Sequence, residues 1–259
     1  MDPLYIIKVG GNIIDDASKL DAFLKSFASI KGNKILVHGG GKLATKLAKD
    51  LNIPQQMIDG RRVTDAETLK IVTMVYAGLI NKQIVAKLNA LGSNAIGICG
   101  ADDNTIIAHK RKHPSIDFGF VGDVDKVNNR LMLNLLHQHV NIVIAPITQD
   151  VNGQLLNTNA DTVAQEIAKS IATHFITTLI YSFEKKGVMK DINDENSVIP
   201  KIDVAIFAKL KDEKAIFDGM IPKLENAFTA ISAGVGKVII GDATELSNLI
   251  EGNSGTTIS

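Results

Sequence analysis

The chain has 259 residues, 45% of them apolar, enough to bury a substantial core in one large α/β domain or two lobes. Lys and Arg total 28 and so do Asp and Glu, so no global field draws nucleic acid or an anionic membrane, and any positive potential must be local. The single cysteine, Cys99, excludes an internal disulfide. No basic leader with an apolar core opens the chain, and no run approaches the roughly 18 apolar residues of a bilayer span, so a soluble cytoplasmic protein is expected.

Apolar, β-rich segments recur at Tyr5–Val9, Lys34–Val37, Ala95–Ile98, Asn141–Ile144, Phe175–Tyr181 and Lys237–Ile240, with helical patterns between several of them. This alternation predicts a mostly parallel sheet covered on both faces. The first strand runs into Gly10-Gly11, with Lys8 beside it as a fixed charge. The second runs into Gly39-Gly40-Gly41-Lys42 and then a helix. Without Cβ atoms the backbone turns tightly and brings N–H groups against an anion, and the following helix aims its positive end there. Two such turns predict one phosphate channel and point to phosphoryl transfer.

Asp65–Leu91 has apolar residues at helical spacing and reads as a long helix, broken near Gly78, suited to a subunit interface. Between Gly100 and Arg130 the glycines, the charged cluster and Phe118–Val124 predict hairpins over the sheet edge, placed as a lid. The polar segment Gln149–Gly153 marks a lobe boundary rather than a linker. Farther on, Asn159 is positioned to cap a helix carrying Asp161 in its first turn. The turn Phe217-Asp218-Gly219-Met220 leads into a helix bearing Lys223.

Other glycine chemistries fail on spacing. Gly40-Gly41-Lys42 lacks the upstream glycine and following hydroxyl of a P-loop. His38-Gly39-Gly40-Gly41 has the form of an esterase oxyanion run, but no Gly-x-Ser-x-Gly elbow supplies a nucleophile. Gly234-Val235-Gly236 lacks the third glycine of a dinucleotide fingerprint. The six histidines show no metal-ligand pattern, His38 reads as a brace for its loop, and Cys99 reads as a small core residue.

Five motifs stand in order: Lys8-Val9-Gly10-Gly11, His38-Gly39-Gly40-Gly41, Gly60-Arg61-Arg62-Val63-Thr64, Asn157-Thr158-Asn159-Ala160-Asp161 and Asp218-Gly219-Met220-Ile221-Pro222-Lys223. On these the chain resembles the amino acid kinase family over nearly its whole length. The resemblance implies a three-layer αβα sandwich with an open, mostly parallel sheet. It also implies a single domain over 1–259, with an acylglutamate lobe near 1–155 and an ATP lobe near 156–259. The implied reaction is phosphorylation of the γ-carboxylate of N-acetyl-L-glutamate by ATP, in arginine biosynthesis. That carboxylate is already ionised and needs no general base, which accounts for the absence of a nucleophile–base constellation.

By the same resemblance Lys8 and Lys223 flank the transferring group and Asp161 positions both ammonium groups. Gly10, Gly11, Gly40 and Gly41 offer N–H donors to phosphate and substrate, with Gly40 and Gly41 on the acylglutamate side. Gly219 joins Gly10, Gly11, Lys8 and Lys223 in nucleotide binding. Arg62 pairs with the substrate α-carboxylate, a task for a planar fork, and Asn157 holds the substrate from the other side. ATP brings Mg²⁺, held mainly by its phosphates, and no protein metal ligand is assigned.

Two departures matter. Arg61 stands where relatives carry an apolar residue, so an added anion, as in N-succinyl-L-glutamate, is the alternative substrate. The strand end Ser182-Phe183-Glu184-Lys185-Lys186-Gly187 replaces an aspartate-containing version and leaves the nucleotide contacts open. A non-catalytic amino-acid and nucleotide sensor of the same fold is the other alternative, disfavoured by the retained Lys8 and Lys223. Arginine-inhibited relatives carry an extra N-terminal helix that builds a hexameric ring. A homodimer insensitive to arginine is expected here.

Overall fold

The computed structural model describes residues 1–58, 61–191, 194, 196–213, 216 and 220–259. Its centre is an eight-stranded sheet. The six runs expected as strands all belong to it: β1 (Pro3–Val9), β2 (Asn33–His38), β5 (Ala95–Cys99), β8 (Asn141–Ala145), β11 (Ile176–Phe183) and β13 (Lys237–Asp242). Two short strands, β12 (Lys201–Ile202) and β14 (Thr256–Ile258), complete the order β12-β14-β13-β11-β1-β2-β8-β5. Pairing is parallel except between β13 and β14.

These strands are apolar without a break because both faces are covered. Ile6 points to one core and Ile7 to the other, following the two-residue strand period. One core packs Ile6, Val37, Leu179 and Ile240 under α6 (Arg130–His137), α7 (Ala160–Ile171) and α9 (Ile221–Ser232). The other packs Ile7, Leu36, Ile180 and Ile239 under α2 (Ala17–Ser29) and α10 (Leu246–Glu251). Asp16 starts α2 by accepting from the amides of Ser18 and Lys19, satisfying two donors that lack helical partners.

Register decides where the chemistry gathers. Val9 pairs with His38 on one side and Ser182 on the other, so β1, β2 and β11 end side by side. The two glycine turns emerge at one sheet edge, beginning α1 (Gly11–Ile14) and α3 (Gly41–Asp50). Because β1 and β11 are neighbours, one sheet runs through both halves of the chain.

The long helix is present as α4 (Ala66–Val72), a π-helical segment Thr73–Ile80 and α5 (Asn81–Ala90), so the expected break near Gly78 is a widened turn rather than an interruption. The expectation that no segment matches a bilayer span fails here. Ala66–Ala90 is long and apolar enough, by length and composition, to cross one. Ile71, Val72, Val75, Ile80, Ile84 and Leu88 of this helix are buried in the core, as in a helix packed on a sheet.

The Gly100–Arg130 region forms the antiparallel pair β6 (Ile106–Lys110) and β7 (Val121–Val127), as expected of hairpins. With β9 (Ile147–Gln149) and β10 (Leu155–Thr158) it closes a small barrel. The polar segment read as a lobe boundary is the turn between β9 and β10. A separate ribbon, β3 (Gln56–Ile58) with β4 (Arg61–Val63), carries both candidate arginines and pairs Met57 with Arg62. The segment Val204–Asp212, named α8, packs on α9.

Candidate active site

Lys8 leaves β1 on the α7 face of the sheet and meets the first turn of α7. Asn159 caps that helix as expected, its side chain accepting from the amides of Asp161 at 2.8 Å and Thr162 at 3.1 Å. The cap fixes Asp161, and Lys8 Nζ lies 2.8 Å from Asp161 Oδ1. Lys223 enters from the first turn of α9. Burial pushes its ammonium below the ordinary lysine range, Asp161 opposes that shift, and repulsion from Lys8 adds to it. The structure thus brings Lys8, Asp161 and Lys223 together.

Beside the cluster opens a cavity of about 260 Å³. Ala160 and Thr162, on either side of Asp161, are part of its wall, as are Gly11, Gly40, Gly41, Asn157 and both Arg61 and Arg62. Arg62 is only 8% exposed. Its Nη2 donates to Gly41 O at 2.9 Å and Thr45 Oγ1 at 2.8 Å, and its Nη1 donates to Gln55. A guanidinium held by neutral acceptors keeps its charge for an anion. Asn157 Nδ2 donates to Thr64 Oγ1 at 3.0 Å, which orients its amide from the opposite wall. Arg61 is exposed yet lines the same cavity.

The second glycine turn is locked from below. Gly40 has φ +150°, and a Cβ there would stand 2.2 Å from Ile80 Cδ1 and 3.1 Å from Tyr76, so only glycine fits. His38 is fully buried; its Nδ1–H donates to Gly39 O at 2.8 Å, leaving Nε2 to accept from Asn81 Nδ2 at 3.3 Å. Burial holds this imidazole neutral, its pKa lowered to about 4. The sequence reading of His38 as a brace is therefore the geometry found. Lys42 donates to Asn12, tying the two glycine turns together. Asp15 lies 4.0 Å from Lys42, and burial raises its carboxyl above the ordinary range.

One expected donor is otherwise engaged. The Gly10 amide donates to Ser182 O at 3.1 Å, so Gly10 fastens the turn to β11 while Gly11 faces the cavity. A Cβ on Gly10 would meet Ser182 O and Phe183 only at ordinary van der Waals distance, and the backbone there is extended, so packing alone does not demand a glycine. Gly219 lies outside the described residues. Sequence reading missed Tyr76 and Arg111, which also line the cavity. Tyr76 sits at core spacing on its helix, and burial raises its phenol pKa. Arg111 follows β6, where its Nε donates to both carboxylate oxygens of Asp123 at 3.0 and 3.1 Å; the signal available was an arginine opposite an aspartate in a hairpin. Cys99 is half-buried and its thiol pKa is raised by burial, as suits a packing residue.

The sequence profile described as the amino acid kinase family matches residues 3–242. An acetylglutamate kinase from Cytophaga hutchinsonii is 57% identical over 254 residues, covering 98% of this chain and 96% of that protein. The acetylglutamate kinase of Parabacteroides distasonis is 55% identical, covering 95% of this chain and 96% of its own. Among solved structures, carbamate kinase from Giardia lamblia bound to AMP-PNP superposes with a TM-score of 0.71 at 13% identity, covering 99% of this chain and 98% of that one. At that identity the likeness concerns the fold alone.

Proposed function

This chain belongs to the amino acid kinase family, and from that premise we propose that it transfers the γ-phosphoryl group of ATP to the γ-carboxylate of N-acetyl-L-glutamate, in arginine biosynthesis. The observation that carries the reading is the Lys8–Asp161 ion pair of 2.8 Å, with Lys223 beside it and an arginine-lined cavity adjoining. Relatives more than 50% identical over nearly the whole chain bear the name acetylglutamate kinase.

The chemistry needs little more. The γ-carboxylate is ionised at neutral pH and attacks phosphorus directly, forming one P–O bond while the bond to the ADP oxygen breaks. Two anions must be held in line and charge on the transferring group stabilised. Arg62 and Asn157 take the α-carboxylate and acylamide end, with Gly40 and Gly41 beneath. Lys8 and Lys223 reach the phosphoryl oxygens from opposite sides, and Asp161 keeps the ammonium groups apart and aimed. For the nucleotide, a cavity of about 600 Å³ at the ends of β11 and β13, bounded by Lys186, Asp242, Thr244 and Gly255, is the available space. Among the described residues no group of three or more His, Cys, Asp or Glu is placed to hold a metal. Mg²⁺ would arrive on the nucleotide, coordinated by phosphate oxygens and water, and would supply charge neutralisation there.

The test is ATP-dependent acylhydroxamate formation in hydroxylamine with N-acetylglutamate, N-succinylglutamate, glutamate and aspartate in parallel. Product with N-acetylglutamate supports the reading, and none with any acid moves it to the sensor of the same fold. Arg61 favours a second reading. It stands exposed in the wall of the cavity that holds Arg62 and offers a partner for the free carboxylate of N-succinyl-L-glutamate, whereas Arg111 in the same wall is already paired with Asp123.

We expect a cytoplasmic homodimer formed through the long helix, where Met74 and Leu79 are 54% and 49% exposed, and a division into acylglutamate and nucleotide lobes near residue 155. Light scattering tests the assembly: a dimer that Leu79→Asp dissociates supports this face, and a ring-sized species overturns it.

A further inference from the structure

One carboxylate serves two ammonium groups in this site. Asp161 gives its 2.8 Å ion pair to Lys8, while Lys223 is half-buried and held below the ordinary lysine range. Beside the attraction of Asp161, Lys223 makes a favourable contact with an aromatic face: its Nζ stands 4.7 Å from the centroid of the Phe183 ring. Within the phosphoryl-transfer reading above, we propose that Phe183 is a positioning residue for Lys223, its ring face holding the ammonium at the end of β11 until a phosphoryl oxygen takes it.

The ring is anchored to the strands that carry Lys8. Phe183 is the last residue of β11 and packs against the core beneath α9. Its neighbour Ser182 accepts the Gly10 amide at 3.1 Å and donates from Oγ to Lys8 O at 2.9 Å. A shift of Phe183 therefore moves the backbone of Lys8 as well, so the two ammonium groups are referenced to one strand end.

An aromatic ring suits the task better than a second acid. Its quadrupole attracts a cation at the face and carries no formal charge. A carboxylate in its place would bind Lys223 more tightly, retain it against the phosphoryl group and repel a triphosphate. A plain aliphatic side chain would leave the ammonium to the attraction of Asp161 alone, which Lys8 already claims, at a cost in desolvation. The ring supplies enough attraction to orient Lys223 and little enough to release it.

The experiment replaces Phe183 by mono-, di- and trifluorinated phenylalanine, which drain the ring face with little change in shape, and adds Phe183→Leu and Phe183→Trp. We expect kcat for acylhydroxamate formation to fall with each fluorine, to about threefold to thirtyfold in total, with KM for the acylglutamate unchanged. Phe183→Leu should fall as far and Phe183→Trp should recover. A kcat flat across the fluorinated series, with Phe183→Leu impaired, makes the ring a packing residue and overturns the proposal. A second readout needs no turnover. In protein carrying lysine labelled with ¹³C at Cε, the Lys223 resonance, assigned by its loss in Lys223→Arg, should be shifted upfield by the ring current and move back in Phe183→Leu. An unmoved resonance also overturns the proposal. A wild-type protein that forms no hydroxamate with any acid defeats the kinase reading instead, and the resonance still decides the contact.

Discussion

Arg62 reaches Gly41, Thr45 and Gln55 before any ligand arrives, whereas Lys8 and Lys223 face each other across the single carboxylate of Asp161. The recognition side is thus assembled by hydrogen bonds to neutral acceptors and is complete without substrate. The transfer side is centred on charge and carries an excess of one positive charge, which phosphate would balance. Preformed geometry favours selection of an acid at little entropic cost. A charge imbalance in a partly dry site favours the state in which negative charge is greatest, which is the transition state.

Removing the imbalance should have the largest effect. Lys8→Ala or Lys223→Ala should lower kcat by about 10²–10³-fold, the usual result of deleting one transition-state donor, with unchanged circular dichroism and little change in KM for the acid. Near-normal turnover would strip these lysines of their role. The recognition side should yield instead to acid. His38 is neutral when folded, with a pKa of about 4, and near 6.5 when unfolded. Between these values the unfolded chain binds the extra proton, so stability falls as pH drops from 6.5 toward 4, by about 3 kcal/mol. Urea unfolding across that range measures it, and His38→Gln should flatten the profile. An unaltered slope would place the proton elsewhere.

Arg62→Lys sharpens the contrast further. Replacing a braced fork by a point charge should raise KM for the acylglutamate about 10- to 100-fold while kcat changes much less, the reverse of the lysine variants. A loss confined to kcat would move Arg62 to the transfer side. The smallest effect belongs to Arg61→Leu. An exposed charge pair is worth about 0.2–1 kcal/mol, so KM for N-succinylglutamate should rise by less than about fivefold, with N-acetylglutamate unaffected. Equal response of both acids removes Arg61 from acyl-group selection.

The same contrast governs what was legible in the sequence. β1 and β2 announce themselves as unbroken apolar runs because both faces are buried, and the glycines after them mark turns that no other residue could make at Gly40. Asn159 and Asp161 were readable because a cap is local, two or three residues long. The ribbon β3–β4 and the strands β12 and β14 span only two or three residues each, too short for any periodicity to register. The barrel pairs Asn157 with Val121 and Leu155 with Gln149, one of them a contact across some thirty-six positions that no window along the chain contains, and so Arg111 was not seen as part of the cavity wall. Gly10 shows the opposite limit. Its residue type was informative, but whether its amide faces an anion or Ser182 depends on a strand that arrives much later in the chain.

The π-helical segment Thr73–Ile80 ties chain length to catalysis in an unexpected way. A widened turn accommodates surplus residues without altering the path of the helix, and here it delivers Tyr76 and Ile80 under Gly40 and Asn81 under His38. Deleting a single residue there would leave composition and hydropathy almost untouched and let the turn relax to ordinary α-helix. The helix after it would keep its register and hold Asn81 under the imidazole, but the residues inside the segment would be re-spaced to about 100° apiece. Tyr76 and Ile80 would no longer both stand under Gly40, and the glycine turn would lose its floor. For this stretch the number of residues is itself a functional parameter, as strict as the identity of any one of them.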